Sequence, residues 1–160
     1  MVVLHTNNGD ITIELYPDKA PVSVANFLNY ARSGFYNGTI FHRVIKRFMI
    51  QGGGFTQELV KKNTKAPIIN ESKNGLHNDR WSIAMARTND PDSATAQFYI
   101  NVAMNSQLDS RQGNPGYAVF GMVIDGQYAV KAIEKIATQA IGIHANVPVQ
   151  AVIIQSVDIQ

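Results

Sequence analysis

The chain has 160 residues, 45% of them apolar and 16% charged, with 14 basic and 12 acidic side chains, a formal charge of +2 and no cysteine. This length and apolar fraction suit one domain, residues 1–160, with a substantial core, and exclude a disordered or heavily charged chain. Disulfides, thiolate nucleophiles and sulfur-ligated zinc are excluded too, and so slight a positive charge points neither to nucleic acid nor to an anionic membrane.

Val2 to Leu4 and Ile11 to Leu15 read as the arms of a hairpin turned at Asn7-Asn8-Gly9. Ile11, Ile13 and Leu15 alternate inward while Thr12 and Glu14 point outward, and Gly9 supplies the positive φ a tight turn favours. The opening residues lack a basic segment, a long apolar stretch and a small-residue cleavage site, so they read as a strand and not as a signal peptide. No apolar run approaches the ~20 residues that span a bilayer, so the expected location is the cytoplasm.

Ala20-Pro21 opens a helix, with Pro where its missing N–H costs nothing, and Val24, Phe27, Leu28 and Ala31 follow helical spacing up to a stop at Gly34. A second helix is expected from Gln127 to Ala137, with Val130, Ile133 and Ile136 facing the core. Between them lie candidate strands at Phe41 to Ile45, Phe48 to Gln51, Ile83 to Ala86, Phe98 to Asn101 and Val119 to Ile124; Val152 to Ile159 is a last alternating strand. The expected fold is mainly β: a closed eight-stranded antiparallel β-barrel capped by two α-helices. Gly52-Gly53-Gly54 and Gly113-Asn114-Pro115-Gly116 are turn chemistry within it.

The common catalytic signatures are missing. His5, His42, His77 and His144 are scattered and carry no metal-ligand spacing, so no metal and no cofactor are expected. There is no GxSxG and no phosphate-binding glycine loop. What stands out is a set of apolar strands interrupted by Arg43, Gln51 and Gln97. The strand pattern leaves Arg43 two readings: an edge-strand arginine facing water, or one lining a concave site.

Phe41-His42-Arg43-Val44-Ile45 with Phe48-Met49-Ile50-Gln51-Gly52-Gly53 resembles the cyclophilin signature FHRVIxxFMxQGG. Ala84-Met85-Ala86-Arg87 followed by Ser93 to Asn101 resembles the family's second motif, and Tyr117 to Gly121 its third. The resemblance runs in order from Val2 to Ile159 and is closest to the bacterial cytoplasmic branch. It implies a cyclophilin-like barrel and peptidyl-prolyl cis-trans isomerase activity that assists protein folding. By residue, it implies Arg43 as the catalytic arginine and Gln51 as its partner that fixes the substrate carbonyl. Phe48, Met49, Tyr99 and Leu108 align with the proline-ring pocket, Ala86 and Arg87 with the segment that pairs with the peptide backbone, Gln97 with a second groove glutamine, and Tyr117 with the third-motif histidine. The implied partners are proline-containing peptides and unfolded chains, with no nucleic acid and no membrane, and the chain is expected to be a monomer.

Three departures from the family pattern stand out. Tyr99 replaces a phenylalanine and adds a hydroxyl. Gln107 stands where many eukaryotic members have a tryptophan that donates to cyclosporin, and Trp81 lies in another segment, so the resemblance implies weak cyclosporin binding at most. Tyr117 replaces the histidine while keeping a ring and a hydrogen-bonding tip, and Arg111 to Gly116 lengthens the loop before it.

Overall fold

The computed structural model describes all 160 residues. Strands β1 (Val2–Thr6) and β2 (Gly9–Leu15) form the expected hairpin, with Val2 opposite Ile13 and Leu4 opposite Ile11. Helix α1 (Pro21–Arg32) follows. Its first residue is the proline, and the carboxylate that serves its free N-terminal amides comes from far along the chain. Glu71 accepts from Ser23 N at 2.7 Å and Val22 N at 3.2 Å, placing a negative charge where the helix dipole favours it.

The remaining elements are β3 (Arg43–Ile45), β4 (Met49–Gly52), β5 (Ser82–Met85), β6 (Phe98–Asn101), a 3₁₀ turn at Ser106–Leu108, β7 (Val119–Asp125), α2 (Gln127–Glu134), β8 (Thr138–Ile141), β9 (His144–Pro148) and β10 (Ile154–Ile159). Eight strands form one antiparallel sheet in the order β10-β1-β2-β7-β5-β6-β4-β3.

The closed barrel expected from the sequence is corrected here to an open half-barrel. The end strands β10 and β3 share no ladder. An isolated bridge, Ile40 to Ile153, spans the seam, flanked by Phe41 N donating to Val152 O at 3.0 Å and Ile154 N to Thr39 O at 2.8 Å. Beyond Phe41 the chain leaves this seam, and β3 packs instead beside β9 of the β8–β9 ribbon. The His42 ring lies 4.4 Å from the ring of Phe55 and 5.9 Å from that of His144. The ribbon thereby lies alongside the terminal strand β3, the kind of cover natural sheets give an edge. The ribbon itself escapes the sequence reading because β8 is exposed along its whole length and has no apolar alternation. Helix α2 stops at Glu134, short of the expected Ala137, and Ile136 still packs on the core from the following turn.

The interior is a cluster of 27 buried residues. Phe27 of α1 stacks with Tyr36, Phe98 and Phe120 at centroid separations of 5.1 to 5.5 Å, in the range aromatic rings prefer. Val44, Ile50, Ile100 and Ile83 lie in one cross-strand row and point into this core. Because side chains alternate along a strand, the row one residue out of phase points the other way. That row is Arg43, Gln51, Tyr99, Ala84 and Val119.

Candidate active site

The outward row does not face open water. Met49, Ala84, Tyr99 and Val119 form a second small buried cluster on the outer face, with Ile45, Phe48, Leu76, Ala86, Leu108 and Tyr117 packed against it. The strands β5 and β6 are buried along their whole length on both faces. This outer cluster is the floor of a concavity of about 160 Å³ lined by Arg43, Phe48, Met49, Gln51, Ala86, Arg87, Tyr99, Leu108 and Tyr117. All nine lining residues are among those the sequence motifs single out.

Each wall is set locally. The β3–β4 turn lifts Phe48 over the floor. Arg47 in that turn takes φ +62°, and its amide donates to Glu134 of α2 at 2.8 Å. Leu108 ends the 3₁₀ turn and accepts from Tyr117 N at 2.9 Å, which brings the third motif against that turn. Tyr117 meets Tyr99 edge-on at 5.9 Å. The Arg87 guanidinium stacks on the Tyr117 ring at 4.2 Å and donates to Gly116 O at 2.9 and 3.2 Å. Its side chain thus anchors the Arg111–Gly116 loop, while its backbone runs along the groove.

The polar edge is a relay of three side chains. Arg43 Nη1 donates to Gln51 Oε1 at 3.2 Å, and Gln51 Nε2 donates to Gln97 Oε1 at 3.0 Å. Arg43 is exposed on the terminal strand and also lines the groove, so the two readings of it merge. Gln97 stands apart from the other nominated residues. It lines a neighbouring concavity of about 150 Å³ that shares Gln51, Ala86 and Arg87 with the first. Its side chain lies flat on Gly54, where a Cβ would come within 2.4 Å of Gln97 Cγ. Gln107 is exposed and does not line the groove, and Trp81 packs on the main core beneath Arg80 at 4.5 Å.

Three titratable groups in or next to the groove depart from ordinary behaviour: Tyr99, His42 and Asp109, whose burial is outweighed by hydrogen bonds from Asn78 and His77 that hold it below its usual value. Burial, with Tyr117 and Asp109 nearby, pushes the Tyr99 phenol well above its usual value, so it stays a neutral donor. Burial also lowers the His42 imidazole to about 4, helped by the neighbouring His144 and Arg43. Sequence reasoning nominates no asparagine, yet Asn78, Asn101 and Asn105 are buried directly behind the groove. Asparagine is depleted from strands, so Asn101 closing the apolar run of β6 is the signal that points to them.

The family profile described as cyclophilin type peptidyl-prolyl cis-trans isomerase/CLD matches residues 1–159. A peptidyl-prolyl cis-trans isomerase of Acinetobacter baylyi is 56% identical over 160 residues, covering 100% of this chain and 85% of its own. Peptidyl-prolyl cis-trans isomerase B of Escherichia coli is 55% identical, covering 99% of both chains. Among solved structures, a cyclophilin type isomerase of Cryptosporidium parvum, crystallised in the presence of the dipeptide Ala-Pro, superposes with a TM-score of 0.83 at 30% identity. That match covers 99% of this chain and 98% of that one. The chain belongs to the cyclophilin-type peptidyl-prolyl cis-trans isomerase family. It is accordingly an enzyme of peptidyl-prolyl cis-trans isomerisation.

Proposed function

We propose that the groove binds an Xaa-Pro segment of an extended or unfolded chain and catalyses rotation about its prolyl bond by hydrogen bonding from Arg43. The observation that carries this reading is the position of an exposed, hydrogen-bonded arginine at the rim of a largely apolar pocket.

Rotation about an amide faces a barrier of ~18–20 kcal/mol because the twisted form loses resonance. In that form the prolyl nitrogen is pyramidal and carries a lone pair. A donor aimed at it binds the twisted state better than either planar state, which is the condition for catalysis. The Arg43 guanidinium is always charged and presents donors in a fixed fork. One charge-assisted hydrogen bond is worth ~1.5–3 kcal/mol, or about ten- to a hundredfold in rate. Arg43 alone is therefore too little, and the pocket supplies the rest by positioning. Phe48, Met49, Tyr99 and Leu108 hold the proline ring. Gln51 holds the preceding carbonyl while keeping Arg43 aimed, and the Ala86-Arg87 backbone, with Gln97 alongside, holds one flank so that the other turns.

No bond is made or broken, so the reaction needs no nucleophile, metal or cofactor. The structure of the Cryptosporidium relative determined in the presence of Ala-Pro supports short proline peptides as ligands here. Folding assistance in the cytoplasm, a monomeric state, one domain over residues 1–160 and weak cyclosporin binding belong to the same reading. No helix of the chain is long and apolar enough to cross a membrane. Exchange spectroscopy on an Xaa-Pro peptide, with and without cyclosporin, tests the reading. Catalysed exchange by the wild type that survives unchanged in Arg43→Ala would sink the role given to Arg43.

A further inference from the structure

Behind the groove three asparagines, exposed by 1%, 0% and 3%, form one connected set: Asn78, Asn101 and Asn105. Asn105 Nδ2 donates to Asn101 Oδ1 at 2.7 Å, and Asn101 Nδ2 donates to Asn78 Oδ1 at 3.1 Å and to Ser82 Oγ at 2.8 Å. Further hydrogen bonds tie them to residues that line the groove. Asn105 Nδ2 donates to Phe48 O at 2.8 Å, and the backbone carbonyl of the same residue accepts from Leu108 N at 2.9 Å. Asn78 Nδ2 donates to Leu108 O at 3.2 Å, and Asn78 Oδ1 accepts from the Tyr99 hydroxyl at 2.7 Å. Asp109 closes the set, accepting from Asn78 N at 2.6 Å and Asn78 Nδ2 at 3.0 Å.

We propose that Asn105, through this asparagine frame, is a positioning residue of the isomerase that fixes the two lining residues Phe48 and Leu108 of the proline pocket relative to each other. The inference rests on the reading of that pocket given above. Phe48 and Leu108 sit on a turn and a 3₁₀ turn at the margin of the sheet, where only isolated backbone bonds reach them, Val102 N to Phe48 O at 3.0 Å and Tyr117 N to Leu108 O at 2.9 Å. Apolar packing alone is non-directional and leaves such segments free to shift. A fully satisfied buried amide network has one low-energy arrangement, since any shift strands a donor or acceptor away from water. A single residue whose side chain is tied to Phe48 and whose backbone is tied to Leu108 sets the spacing of these two lining segments. Positioned groups lose effectiveness steeply with displacements of about 1 Å.

The test compares Asn105→Ala and the milder Asn105→Ser with Ile13→Val, a substitution in the main core remote from the groove. Thermal stability, kcat and KM on an Xaa-Pro peptide, and the Leu108 methyl signals in NMR are measured for each. The expected result is a fall in kcat of at least about tenfold in Asn105→Ala, a smaller fall in Asn105→Ser, and broadened or shifted Leu108 methyls in both. Ile13→Val loses stability but keeps kcat. If Asn105→Ala fails to fold, Asn105→Ser decides. Asn105 variants that lose stability while keeping kcat and unshifted Leu108 methyls overturn the positioning role and leave the pocket reading intact. A wild-type chain that does not catalyse exchange overturns both.

Discussion

Arg43 and Gln51 stand directly opposite each other across β3 and β4, and a 3.2 Å hydrogen bond from Arg43 Nη1 to Gln51 Oε1 joins them on the outer face of the sheet. The strand register thus does the aiming. Arg43 is on the sheet's terminal strand, and its guanidinium reaches the groove rim because its opposite number supplies an acceptor there.

Arg43→Ala is expected to lower kcat/KM by about ten- to a hundredfold, the worth of one charge-assisted hydrogen bond. Its effect on stability is expected to stay within about 0.5 kcal/mol, because the side chain is exposed. Chemical denaturation alongside exchange kinetics separates the two. A large stability loss with unchanged kinetics would contradict the assignment.

Tyr99→Phe keeps the ring and deletes the hydroxyl that donates to Asn78 Oδ1. Asn78 Oδ1 retains Asn101 as a donor, so no acceptor is stranded. The expected cost is about 1 kcal/mol of stability, with turnover within about threefold of wild type. A loss of turnover beyond tenfold would show that the hydroxyl itself acts on substrate.

His42 predicts a pH dependence of stability. Its folded pKa is lowered from 6.5 to about 4 by burial, and its Nδ1 is buried without a partner. Between those values the unfolded chain binds the extra proton, so stability falls as pH drops from 6.5 toward 4, by roughly 3 kcal/mol at most. His42→Phe is expected to flatten that slope in urea denaturation series. An unchanged slope would place its origin elsewhere.

Asp109 acts in a lower window. Burial by itself would raise its carboxyl, but the hydrogen bonds from Asn78 and His77 outweigh this and hold it below the ordinary value of 3.8. Its contribution is therefore present above 3.8 and is lost as pH falls through the lower folded value. Asp109→Asn should be less stable than wild type at neutral pH and lose less on acidification below pH 3.8. A parallel acid profile for the two proteins would rule out this contribution.

Strand β2 was legible because one of its faces alternates, as in Ile11, Ile13 and Leu15, and β5 and β6 because each is a short, fully buried apolar run. The β8–β9 ribbon was not, because it buries almost nothing on its β8 side. The open seam was equally hidden. Whether β3 pairs with β10 or turns to β9 depends on where the chain goes after Phe41, and no local pattern encodes that path. At the groove the family resemblance singled out each lining residue, yet of the amide network behind it the motifs contain only Asn101. Asn78, Asn101 and Asn105 are polar residues in loops and at a strand end, where a solvated role is the ordinary expectation.

By itself, the sequence determined the family, most strands, the two helices apart from the end of α2, and the residues that line the groove, since these follow from local periodicity and from motifs whose spacing survives in one dimension. Tertiary structure alone decided three things. It opened the barrel at β3 and β10, it merged the exposed and groove-lining readings of Arg43, and it buried three asparagines against Phe48 and Leu108. Each depends on contacts between segments distant in sequence, where burial and hydrogen-bond satisfaction are properties of the packed whole and not of any stretch of chain.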